Sequence, residues 1–105
     1  MTTRNLLTKL PGDATAEAFE HLAGNGAVRI ERIVSRGQHA PETGWYEQDG
    51  AEWVAVIQGE AVLAFEDGEH LHLRPGDWID IPALRRHRVE WTTPDTETVW
   101  LAVHY

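Results

Sequence analysis

The chain of 105 residues contains no cysteine. This absence excludes disulfides, thiolate metal sites and cysteine nucleophiles, so histidine and carboxylate side chains are the reactive groups that remain. Long apolar runs are also missing, because the longest one, Trp53 to Ile57, is far shorter than the roughly 20 residues that cross a bilayer. We therefore expect no membrane association. Since residues 1–5 lack the apolar core of a secretory signal, a cytoplasmic location is expected as well.

Basic residues are few. The chain has 9 Lys and Arg against 17 Asp and Glu, which gives a formal net charge of -8. Such a charge repels phosphate backbones, and residues 85–88 form the one dense basic stretch that could draw a small anion. The composition therefore excludes nucleic acid as a partner and leaves a small-molecule ligand as the expectation.

From residue 27 onward, apolar and polar residues alternate with a period of two, and β-branched and aromatic residues dominate. This pattern, interrupted by turn residues, is typical of short antiparallel strands in a barrel or sandwich. A chain of this length can build one core. The pattern predicts strands at 28–35, 45–48, 52–58, 61–66, 70–74, 78–81, 86–92 and 98–104.

Residues 1–26 follow a different pattern. Residues 1–12 show no periodicity and are expected to form an arm lying across the domain. Asp13 can cap a helix over 13–23, because apolar residues recur there at spacings of three and four. We therefore expect 1–26 to be an arm and a short helix packed on a barrel formed by 27–105.

The segment PGDWIDIPALRRHRVEW carries a spaced set of residues. Gly76, Pro82 and His87 match the second motif of the cupins, commonly written G-x5-P-x-G-x2-H-x3-N. Leu84 and Trp91 stand where that motif has glycine and asparagine. The segment therefore keeps the motif's histidine and alters its loop.

An earlier segment, WYEQDGAEWVAVIQG, matches the second half of the first cupin motif, H-x-H-x3-E-x6-G. Glu52 and Gly59 occupy the last two motif positions, and Tyr46 and Gln48 replace the two histidines. On these residues the chain resembles the small bacterial cupins from about Arg29 to its end. The resemblance implies an all-β fold, the cupin double-stranded β-helix or jelly-roll-like barrel, and dioxygenase-like or isomerase-like chemistry if a metal is bound.

Alternation along the strands places these residues on common faces. His87 shares an apolar face with Val89 and Trp91, and Glu52 shares one with Val54, so imidazole and carboxylate both point into the barrel. An inward carboxylate needs a partner. The predicted pocket consists of Tyr46, Gln48, Glu52 and His87, with His39, Trp45, Val54, Val89 and Trp91 as further wall residues.

The resulting donor set suits a divalent metal such as Mn, Fe, Ni or Zn, with Gln48, Glu52 and His87 as ligands and Tyr46 as a proton or hydrogen-bond donor. Two alternatives remain open. The pocket is a metal-free binding or sensing site for a small metabolite, or Glu52 and His87 form a structural pair in a domain without a ligand. A homodimer is expected, because the strand at 98–103 is apolar on both faces.

The other strand histidines are expected to be structural. His70 and His72 alternate with leucines and are predicted to face solvent. His104 shares a face with Trp100 and is predicted to pack at a strand end.

Overall fold

The computed structural model describes all 105 residues and contains eight β-strands and no helix. The strands are β1 Ala18–Gly24, β2 Arg29–Ser35, β3 Glu52–Gln58, β4 Ala61–Phe65, β5 His70–Leu73, β6 Trp78–Ile81, β7 His87–Thr92 and β8 Thr98–His104. Five of them form one antiparallel sheet in the order β1-β2-β8-β3-β6, and three form a second sheet in the order β5-β4-β7. The fold is therefore all-β, as the alternation predicted. No helix is present that could span a membrane.

The two sheets share one hydrophobic core. Buried residues of the larger sheet, such as Val54, Val56 and Trp100, form a single cluster with Leu63 and Phe65 of the smaller sheet. These side chains come from the alternating inward positions of their strands. Alternation in the sequence therefore predicted the inward face of these strands, except at the end of β7.

The helix predicted over 13–23 is wrong, because residues 18–24 form β1. This strand pairs with β2 along its whole length, for example Phe19 with Ile33 and Glu20 with Arg32. The pairing satisfies backbone groups that a lone helical turn would leave to solvent. The edge of the larger sheet therefore overrides a local helical pattern that covers only about three turns.

The N-terminal arm is fixed by one arginine of β2. The guanidinium of Arg32 is buried and donates hydrogen bonds to the backbone carbonyl oxygens of Leu6, Thr8 and Lys9 at 3.1, 2.8 and 3.1 Å. The same group pairs with Glu20 at 2.9 Å. The arm therefore lies against the face of the larger sheet that points away from the core.

The predicted strand at 45–48 is reduced to a single bridge. Tyr46 and His87 exchange backbone hydrogen bonds of 2.8 and 3.1 Å, and Ala40 pairs with Val89 in the same way. The segment from 40 to 46 therefore runs beside β7 without forming a regular strand.

Candidate functional site

The site lies at one end of the barrel. There, a row of residues that pair across the strands of the larger sheet faces a similar row in the smaller sheet. In the larger sheet His104 is in register with Glu52, and Glu52 is in register with Ile81. In the smaller sheet, pairing across strands brings Phe65, His87 and Tyr46 side by side. Apart from Phe65, the residues of these two rows line a cavity of about 190 Å³.

The cavity wall is polar at one end and apolar at its base. It consists of Glu17, Phe19, Arg29, Glu31, Ile33, Tyr46, Gln48, Glu52, Val54, Leu63, Ile81, His87, Val89, Trp100 and His104. The volume is below the roughly 300 Å³ at which pockets for drug-sized ligands begin. A ligand of this cavity is therefore a small molecule.

His87 and Glu52 form a buried pair on this wall. The distance from His87 Nε2 to Glu52 Oε1 is 3.2 Å, and His87 Nδ1 lies 2.9 Å from the carbonyl oxygen of Arg85. Because a carbonyl oxygen can only accept, Nδ1 carries a proton, and Nε2 is the atom that faces Glu52 and the cavity.

The environment shifts the pKa of His87 upward. Burial acts to lower this pKa, but the hydrogen bond to Glu52, the bond to the Arg85 carbonyl and the charge of Glu52 together outweigh it. Beside this imidazole lies Tyr46, with ring centroids 5.9 Å apart. Burial, aided by the charges of Glu17 and Glu52, raises the pKa of Tyr46 to about 12, so the phenol keeps its proton at neutral pH.

A second histidine pair continues the network. His104 Nε2 lies 2.6 Å from Glu31 Oε1, and His104 Nδ1 lies 2.9 Å from Gln48 Oε1. The amide nitrogen of Gln48 faces Glu52 Oε1 at 3.5 Å. Gln48 therefore bridges the two carboxylate-histidine pairs.

The opposite wall carries a third carboxyl group. Glu17, just before β1, accepts a hydrogen bond from the hydroxyl of Ser35, and this hydroxyl accepts one from the indole N–H of Trp100 at 3.1 Å. Burial is the main cause of the raised pKa of Glu17; the bond from Ser35 opposes the shift and the charge of Glu52 adds to it.

The structure brings together the four central residues of the predicted pocket and two of its five further wall residues. Tyr46, Gln48, Glu52 and His87 line the cavity together with Val54 and Val89. The other three predicted wall residues lie elsewhere. These are His39, which is exposed, Trp45, whose ring stacks under Arg88 at 4.5 Å, and Trp91.

Trp91 lies outside the cavity because of a β-bulge. Val62 pairs with Trp91 while the next residue, Leu63, pairs with Val89, so Glu90 is an extra residue in β7. A bulge shifts the alternation by one position. Thr92 is therefore buried in place of Trp91, whose side chain is 42% exposed.

Nine of the fifteen cavity residues were not anticipated as site residues, among them three that form its hydrogen-bond network, Glu17, Glu31 and His104. Glu17 had been placed in a helix and His104 at a packed strand end, and Glu31 was not singled out. A detectable signal exists for two of them. Glu31 shares the inward face of β2 with Ile33, and His104 shares the inward face of β8 with Trp100, so both are polar residues at positions where alternation predicts core.

The outward positions predicted for His70 and His72 are found, since both side chains are exposed.

The predicted metal ligands are bonded to one another in this arrangement. Gln48 Oε1 faces His104, and His87 Nε2 faces Glu52. No three His, Asp or Glu side chains of the chain stand where one metal ion could bind them together. The donor set as arranged therefore does not fit a metal ion.

Comparison with known proteins gives the family. The model of the cupin domain matches residues 32–104. No curated protein matches the chain.

A crystal structure from Ralstonia eutropha JMP134, of a protein provisionally named mannose-6-phosphate isomerase, is 42% identical with a TM-score of 0.91, and the match covers 99% of this chain and 97% of that one. An RmlC-like cupin from Desulfovibrio desulfuricans is 19% identical with a TM-score of 0.78 over 99% of this chain and 96% of that one, and shares the fold. The chain belongs to the cupin domain family.

Proposed function

We propose that the cavity binds a small organic molecule carrying a carbonyl group and that His87 exchanges a proton with it, as in an isomerase. The observation that supports this most directly is the buried His87–Glu52 pair, held at Nδ1 by the Arg85 carbonyl and facing a phenol that stays protonated. The cupin fold commonly binds small-molecule substrates, and the name of the Ralstonia relative includes isomerase activity.

Each group has a role in this reaction. His87 Nε2 gives a proton to the carbonyl oxygen of the ligand, and Glu52, which is bonded to that nitrogen, takes the proton from the neighbouring carbon. The C–H bond breaks, an O–H bond forms, and the product of this half-reaction is an enediol. Tyr46 donates a hydrogen bond to the oxygen on which charge develops. In the second half-reaction Glu52 gives its proton to the other carbon, and the hydroxyl on the first carbon returns a proton to His87 Nε2. A C–H bond forms, an O–H bond breaks, and both side chains regain their starting protonation.

Deuterium exchange tests the proposal. The protein is incubated in D2O with free aldoses and ketoses and their phosphate monoesters, and proton NMR follows the C–H next to the carbonyl. We expect deuterium uptake with the native chain and none with His87→Gln. The control is His70→Gln, which replaces an exposed histidine of β5 and should exchange at the native rate. Exchange that persists in His87→Gln, or no exchange with any compound, contradicts the proposal; in the second case binding alone would make the chain a small-ligand binding module.

Metal binding needs its own test, because cupins often bind metals. Gln48 Oε1, Glu52 Oε1 and His87 Nε2 are already hydrogen-bonded within the network, so we expect no stoichiometric uptake of Mn, Fe, Ni or Zn in equilibrium dialysis. Gln48→His supplies a nitrogen donor in place of an amide and should gain affinity for Ni and Zn. Uptake by the native chain that disappears in His87→Gln would restore the predicted role of these residues as ligands.

We also propose that the chain forms a homodimer through the outer face of the larger sheet. Trp78 is 61% exposed there, and its ring lies 5.7 Å from that of Trp53. Leu101 and Val103 continue this apolar face on β8. Light scattering should give the mass of two chains, Trp78→Glu should give that of one, and Trp91→Glu, on the other sheet, should leave the dimer intact.

A further inference from the structure

We infer that the ligand of this cavity bears hydroxyl groups and no anionic group, so that a free sugar fits the site and its phosphate ester does not. This inference rests on the proposed function, because it names the substrate class of the same site. It rests on the carboxylate partners of the basic side chains in the cavity wall and in the stretch 85–88.

Each basic side chain of the cavity wall lies beside a carboxylate. Arg29 lies 3.6 Å from Glu31, His104 lies 2.6 Å from the same carboxylate, and His87 lies 3.2 Å from Glu52. The wall contains no lysine and no other arginine. A phosphate group in the cavity would therefore compete with a carboxylate for each basic side chain of the wall, and an uncompensated buried anion is strongly unfavourable.

The basic stretch at 85–88 does not supply the missing charge. Arg85 pairs with Asp67 at 2.8 Å, and Arg88 pairs with Glu90 at 2.7 Å. Arg86 is held between two carboxylates, Glu66 at 2.9 Å and Glu47 at 3.0 Å. The stretch that the sequence suggested as an attractor of anions is therefore neutralised pair by pair.

The polar atoms left open in the cavity favour a ligand that donates hydrogen bonds. Glu17 uses Oε2 to accept from Ser35, which leaves Oε1 open. Glu52 Oε2 lies 3.9 Å from His104 Nε2, too far for a hydrogen bond. An ionised carboxylate can only accept, and a phosphate can only accept. A hydroxyl group donates to these oxygens and can also accept from the phenol of Tyr46.

Matched pairs of compounds test this inference. D-mannose, D-glucose and D-fructose are each compared with their 6-phosphates at pH 8, and NMR titration follows the ring protons of His87 and His104. The ring of His70, exposed on β5, is the internal control. We expect saturable shifts with at least one free sugar, and binding of its 6-phosphate weaker by about tenfold or more, because the phosphate is brought close to the carboxylates of the wall.

Two variants locate the cause of the discrimination. Glu17→Gln removes one negative charge from the wall, so the ratio of the two dissociation constants should narrow by about tenfold. Glu69→Gln removes a carboxylate that pairs with Arg85 outside the cavity, and the ratio should stay at the native value. Circular dichroism verifies that each variant is folded.

The inference is overturned if a 6-phosphate shifts His87 and His104 at the same or lower concentration than its free sugar, or if no free sugar shifts them. These outcomes are distinct from failure of the proposed function. If deuterium exchange is faster with a phosphate ester, the proposed proton transfer stands and the inference about the ligand class is wrong. If a free sugar binds selectively but no deuterium exchange occurs, the inference about the ligand class stands and the proposed proton transfer is wrong.

Discussion

The two ends of β3 differ, although their side chains alternate on the same two faces. At one end the inward side chain is Glu52, which lines the cavity, and further along the same face it is Val56, which is completely buried. Val54 lies between them and contacts both environments. The same strand thus contributes to the closed core at one end and to the polar cavity wall at the other. The residues that stabilise the fold by packing are therefore separate from those that line the candidate site.

The largest change in the free energy of unfolding is expected when one member of the His87–Glu52 pair, at the polar end of β3, is removed. His87→Ala leaves the buried carboxylate of Glu52 without its imidazole, which should lower the free energy of unfolding by about 2 to 4 kcal/mol. Urea denaturation measures this change. His87→Ala/Glu52→Ala together should cost less than the sum of the two single variants, and an additive result would show that the pair contributes nothing.

A matched pair of valines compares the two ends directly. Val56→Ala, at a position with no exposed surface, should lower the free energy of unfolding by about 2 kcal/mol through lost burial and an added void. Val54→Ala enlarges a cavity that already exists, so we expect about 1 kcal/mol. Equal losses in urea denaturation would mean that the cavity end is packed as tightly as the core.

The polar end should also make stability depend on pH. The raised pKa of His87 means that the folded chain holds this proton more tightly than the unfolded chain. The stabilisation of the fold by protonated His87 is therefore complete below the pKa of about 6.5 in the unfolded chain. It is lost as the pH rises through the pKa in the folded chain. Urea denaturation between pH 6 and 9 should show a falling free energy of unfolding that flattens in His87→Gln. A slope unchanged in that variant would assign the effect to other groups.

The smallest effect is expected at the loop that follows β6. Leu84 has a φ of 65°, in the left-handed region that glycine adopts without strain, and its side chain is 61% exposed. Its backbone N–H donates to the carbonyl oxygen of Gln48 at 2.8 Å. Leu84→Gly should raise the free energy of unfolding by up to about 1 kcal/mol, because relief of strain exceeds the added freedom of the unfolded chain. A lower midpoint in thermal unfolding would contradict this.

Seven of the eight predicted strands are found, because each depends on its own alternation and the turns that bound it. The predicted strand at 45–48 is wrong, since only Tyr46 pairs there. The bounds of β3, β6 and β8 agree with the predicted ranges. The predicted helix failed because its residues pair with β2, a partner that no local pattern reveals.

The candidate site was only partly predictable, for a similar reason. Alternation tells which face a side chain occupies, but the row it joins depends on the register between strands. His104 meets Glu52 because β8 and β3 pair in that register, and a shift of two residues would separate them while keeping both inward. Alternation also failed at the bulge at Glu90. The extra residue turns the side chain of Trp91 away from the inward face that alternation had predicted for it.

The way in which Arg32 holds the N-terminal arm affects how this protein can diverge in sequence. Its bonds go to backbone carbonyl oxygens of residues 6, 8 and 9, which every amino acid provides. Substitutions in the arm therefore leave these contacts available, whereas inserting or deleting one residue there displaces the carbonyls from the guanidinium. We therefore expect related chains to vary in the composition of this segment while they keep its length and the arginine.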